Sequence, residues 1–77
     1  MENFRYEVEL YVPLQSCACN YQHIVDELFS LVLPYKDFVR FSVKDAGSKE
    51  ADDLNIIGTT VRVVDYNSNK EILRTQR

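Results

Sequence analysis

The sequence predicts an α/β domain with a mixed four-stranded sheet and its main helix on one face. Three observations carry this. Residues 4–12 alternate apolar and polar side chains, a period of two that marks a strand. Residues 21–33 repeat their apolar positions at helical spacing. Two further stretches, 38–44 and 59–65, read as strands, and a turn after the second leaves room for a hairpin partner.

In the first strand Phe4, Tyr6, Val8, Leu10 and Val12 share one face, and Arg5, Glu7, Glu9 and Tyr11 the other. Pro13 ends it, because proline cannot donate to a ladder. A short loop, 14–20, carries Cys17-Ala18-Cys19. Tyr21, Ile24, Val25, Leu28, Phe29 and Val32 then form an apolar helix face, with Ser16 or Asn20 as candidate caps. Pro34 stops the helix near Leu33.

Val39, Phe41 and Val43 share a face of the second strand. Ser48 is placed to cap a short helix over 49–55, with Ala51 and Leu54 inward. Asn67-Ser68-Asn69 is the turn between the third strand and a last one over 70–75. A right-handed first crossover makes strands one and two parallel. Arg5, Glu7 and Glu9 on one strand, with Arg40 and Lys44 on the other, argue against a sheet covered fully on both sides. The second face is therefore expected to be partly solvated or closed by the short helix.

The chain has 77 residues, which suits one domain spanning 1–77. Its apolar fraction of 45% is enough for a real core. A net charge of −3 argues against a general nucleic-acid binder. Arg62, Lys70, Arg74 and Arg77 read as a solvated edge, and Glu50, Asp52 and Asp53 as the exposed face of the short helix. No apolar run approaches the roughly 20 residues that cross a bilayer, so no membrane association is expected. The N-terminus lacks the basic start and apolar stretch of a signal peptide, and a cytoplasmic protein is expected. There, close cysteines are more often redox-active or metal-binding than structural.

Cys17 and Cys19 are accordingly the candidate site. Unpaired N–H groups and the dipole at a helix N-terminus favour thiolate over thiol. A neighbouring thiol can close an internal disulfide, and a Cys-x-Cys ring is more constrained than Cys-x-x-Cys. His23 lies four residues after Cys19, on the same face if the helix holds both. Cys17, Cys19 and His23 are thus an alternative ligand set for a soft metal, one short of a closed zinc site. A lone helical histidine is also commonly a surface residue, and two cysteines can be small apolar fillers. Tyr11 and Tyr21, which flank the pair, read as core or rim.

With these features in this order, the chain resembles the thioredoxin-like fold superfamily from Glu7 to about Thr75. Tyr6 to Val12 is similar to its first core strand, Tyr21 to Leu33 to its active-site helix, and Ile56 to Val61 to the stretch leading into its hairpin. Cys17-Ala18-Cys19 stands where that family carries Cys-x-x-Cys. The resemblance implies a minimal β-α-β-(α)-β-β member. Cys17 would be the nucleophile, Cys19 the resolving thiol, and Thr59 and Thr60 the substrate-binding loop. Thr60 replaces the family's cis-proline, so a trans bond is expected there. The motif is one residue short, Ser16 stands where many members carry tryptophan, and Tyr11 lies near the place of the family's buried carboxylate.

The implied function is thiol–disulfide exchange with a protein or small-molecule thiol or disulfide, without a cofactor. Two alternatives stand beside it: a soft-metal or metalloid module using the same thiols, and a non-catalytic interaction domain. The family's last helix has no match after Thr75, which implies apolar surface for a protein partner or a second copy. A ferredoxin-like fold also puts cysteines between its first strand and helix. It needs a full helix where only residues 66–69 separate the last strands.

Overall fold

A computed structural model describes residues 3–14 and 21–76. Its elements are β1 (Tyr6–Val12), α1 (Gln22–Val32), a 3-10 turn (Leu33–Tyr35), β2 (Val39–Asp45), α2 (Lys49–Asp53), β3 (Thr60–Asp65) and β4 (Glu71–Gln76). The four strands form one mixed sheet in the order β2-β1-β3-β4. β1 runs parallel to β2 and antiparallel to β3, and β3 is antiparallel to β4. The expected strand and helix order is therefore present.

One layer of core lies between the sheet and α1. Leu10 and Val12 of β1 are fully buried there with Tyr21, Leu28 and Val61, and Val8, Ile24, Val25 and Phe41 pack around them. Phe29, expected inside, is half exposed. It reaches the rim above β2, an edge strand, and meets Phe41 at 6.2 Å between ring centroids. Tyr21 is the N-cap residue of α1, with no side-chain cap, so neither Ser16 nor Asn20 is the N-cap. The ring of Tyr21 buries apolar area, which here outweighs the cap preference for small polar residues. Pro34 sits in the first turn of the 3-10 segment, where its missing N–H costs nothing.

α2 covers the end of the second face that holds Tyr11. Ser48 caps it as expected, its Oγ accepting from the Ala51 N–H at 3.2 Å. The far end is a Schellman motif: the Ile56 N–H bonds the Ala51 carbonyl, the Asn55 N–H bonds that of Asp52, and Asn55 takes φ +59°. That turn tucks Ile56 beside Ala51 and Tyr11 in a second small core. β4 is exposed along its whole length. Val63 pairs with Leu73 but Val64 pairs with Glu71, so Ile72 forms a bulge, a common device for blunting an edge strand.

Candidate functional site

The thiol site expected from the sequence, Cys17 and Cys19, lies outside the described residues. Both of its flanks are described. The chain leaves β1 through Pro13 and Leu14, whose N–H bonds the Val12 carbonyl at 2.9 Å. It returns at Tyr21, packed against Leu10 and Val12. Thr60 pairs with Tyr11, so the threonine loop and both flanks gather at one end of the sheet. Thr60 is buried, and its hydroxyl donates to the Gly58 carbonyl at 3.3 Å, while Thr59 is half-buried. Among the described residues no peptide bond is cis, which includes the one before Thr60. The Tyr21 hydroxyl is buried with no hydrogen-bond partner among the described residues.

α1 begins at Gln22 with Tyr21 as its N-cap, which puts His23 in its first turn, and the expected pairing of His23 with Cys17 and Cys19 lies outside the described residues. His23 is exposed on the first turn. Among the described residues no three His, Cys, Asp or Glu side chains are grouped to hold a metal. None of their helices is long and apolar enough to cross a membrane.

The sequence did not announce the most heavily charged feature, a lattice between the sheet and α2. Its centre is Glu9, only 6% exposed at the side chain. Oε1 of Glu9 accepts from Arg62 Nη1 at 2.7 Å and faces the Tyr11 hydroxyl at 3.1 Å, and Oε2 accepts from Lys44 Nζ at 3.2 Å. Lys44 also reaches Glu50 at 3.0 Å. Arg62 Nε and Arg74 Nη2 share Oε1 of Glu71, at 2.8 and 2.7 Å. Three carboxylates meet three cations, so the lattice is neutral. Moving a carboxylate out of water costs several kcal/mol, and the two cationic donors on Glu9 offset it.

One expectation is corrected here. Arg62 is not on a solvated edge: its side chain is 12% exposed and fixed by two carboxylates, whereas Arg74 stays on the exposed edge strand and bonds Glu71 and the Leu54 carbonyl at 2.7 Å. Glu50 lies on the exposed face of the short helix as expected, with a side chain 58% exposed, and it also bonds Lys44 and Tyr11. The alternation showed which face these residues take. It could not show that five residues of α2 would cover one end of that face.

The electrostatics follow from these contacts. Burial, then the Glu9 charge, pushes the Tyr11 phenol well above its ordinary range. Burial alone would lower the Lys44 ammonium, but its bonds to Glu50 and Glu9 outweigh that and raise it. The hydrogen bond and charge of Lys44 hold Glu50 below the usual carboxylate value, and Arg74 and Arg62 do the same for Glu71. The Tyr11 hydroxyl has one proton for two carboxylates, so it donates to either Glu9 or Glu50.

A pH dependence follows. The folded protein keeps the Tyr11 proton under conditions where the unfolded chain releases it. This contribution is fully present below about pH 10 and is lost above it, by up to about 1.4 kcal/mol per pH unit. Tyr11→Phe is expected to flatten that alkaline loss in urea denaturation, and the Lys44 component, of the same sign, stays in both proteins. Equal alkaline slopes for the two proteins would refute the assignment.

The lattice also borders a cleft of about 610 Å³ under α2, lined by residues of β1, β2, β3 and α2. No protein-family model, no curated protein and no solved structure matches this chain.

Proposed function

We propose that this chain is a small thioredoxin-like protein that exchanges thiols and disulfides through Cys17 and Cys19. The observation that supports the reading best is the strand order β2-β1-β3-β4, with parallel β1 and β2 and a closing antiparallel hairpin. A mixed four-stranded sheet that ends in an antiparallel hairpin is what the resemblance implies. Cys17-Ala18-Cys19 falls in the stretch of chain joining β1 to α1.

In this reading the Cys17 thiolate attacks one sulfur of a substrate disulfide and the other sulfur leaves as a thiolate. Cys19 then attacks the Cys17 sulfur of the mixed disulfide and releases the second substrate thiol. The Cys17–Cys19 pair gives up two electrons, and the substrate disulfide takes them. A thiol held near the N-terminus of α1 would be favoured as thiolate by the helix dipole. Strain in the Cys-x-Cys ring makes the oxidised pair easier to reduce, so the dithiol gives its electrons only to a substrate disulfide of still higher reduction potential.

The test is a redox titration of the pair followed by mass, with and without zinc. A reversible two-electron couple is expected, insensitive to zinc. Cys17→Ser is expected to lose exchange activity, and Cys19→Ser to accumulate the mixed disulfide. Full activity in Cys17→Ser would refute the reading, and zinc protection of both thiols would replace it with the metal-binding alternative.

A further inference from the structure

We propose that the cleft under α2 is a binding site for a small zwitterion, a free α-amino acid with an apolar side chain. The proposal is independent of the cysteines. The cavity, about 610 Å³, has the size of a small-molecule site. Its floor is rigid. Arg62 lines it with a guanidinium whose Nε and Nη1 are fixed by Glu71 and Glu9. The Nη2 edge lies outside both pairs, so a carboxylate would meet a donor already oriented.

The α2 wall carries the second observation. Lys49 and Asp53 are one turn apart, have opposite charge, and both line the cleft. Neither forms an ion pair with any described residue. Lysine four residues ahead of an acid is the weaker orientation for a helical pair, so they gain little from each other. Both remain open to a ligand at the mouth of a site in which Lys44 and Arg62 are already paired with carboxylates.

The balance of charge chooses the ligand. The lining holds three cations (Lys44, Lys49 and Arg62) and four carboxylates (Glu7, Glu9, Glu50 and Asp53). A simple anion is drawn to Arg62 and Lys49 but repelled by the carboxylates. A simple amine meets the reverse. A molecule with both groups satisfies both, its carboxylate on Arg62 and Lys49 and its ammonium on Asp53 and Glu7. Leu54 adds apolar surface to the lining, with Val64 only 2% exposed, which suits an apolar side chain.

The experiment is a titration of the intact protein followed through its backbone amide NMR signals. The probes are L-leucine, 4-methylpentanoate, which lacks the amine, and isopentylamine, which lacks the carboxylate. Leucine at millimolar concentration is expected to shift the amides of residues 49–54 and 62–64 and to saturate. Each singly charged analogue is expected to bind at least about fivefold more weakly. Lys49→Ala and Asp53→Asn touch no ion pair of the fold, and each is expected to weaken leucine binding about fivefold or more. Absence of saturable shifts, equal affinity for the analogues, or wild-type affinity in both variants would overturn the proposal.

Discussion

Glu9→Ala is expected to destabilise the protein by about 3 kcal/mol, the lower end of what removing one partner of a buried ion pair costs. The lower end applies because Arg62 keeps Glu71 and Lys44 keeps Glu50. The loss remains large because Arg62, 12% exposed at the side chain, cannot turn to water for the missing bond. Domains hold roughly 0.05–0.15 kcal/mol per residue, so about 3 kcal/mol is a large share for so short a chain. Urea denaturation at neutral pH measures it. The paired replacement Glu9→Leu with Arg62→Leu leaves no unmatched charge between those two positions, and is expected to be more stable than Glu9→Ala. A Glu9→Ala protein within about 0.5 kcal/mol of wild type would mean the lattice is solvated, contrary to its burial.

Leu10→Ala is the second large effect, expected at about 2–5 kcal/mol. Leu10 is fully buried in the centre of β1, under α1, among Val12, Tyr21, Leu28 and Val61. These neighbours lie on three separate elements tied to the sheet, so the gap closes poorly and the cavity contribution adds to the lost transfer energy. Leu73→Ala on β4 is the matched control, because that side chain is 55% exposed. It is expected to change stability by about 0.5 kcal/mol or less. Comparable losses at both positions in thermal or urea unfolding would contradict the burial pattern.

Much of this architecture was legible from period alone. The nine-residue alternation located β1, the helical repeat located α1, and the serine before a short polar helix located α2 and its cap. What stayed hidden depended on distant partners. Glu9 looked like a solvated strand residue, yet its donors Lys44 and Arg62 lie 35 and 53 residues further along the chain. The start of α1 was misread for a similar reason. Ser16 and Asn20 have the chemistry of caps, but core packing by Tyr21 decides where the helix begins. Phe29 matched the apolar stripe and still ended at the rim, because the stripe does not say where the sheet stops. The candidate thiols were legible as chemistry, from residue type and from their position between a strand and a helix. The cleft was not legible, since its cations and carboxylates come from four elements and match no local spacing.

The central place of β1 has a consequence for how the chain is made. β1 precedes the other three strands of the sheet, and both of its neighbours arrive late: Tyr6 pairs with Val39 on one side and Asp65 on the other. Closing such long loops costs entropy before any ladder bond repays it. On the ribosome β1 must therefore wait, first for β2 and then for β3, with its alternating apolar face still unburied. Glu7 and Glu9, set into that waiting segment, give it a charge that discourages pairing with the strand of another nascent chain.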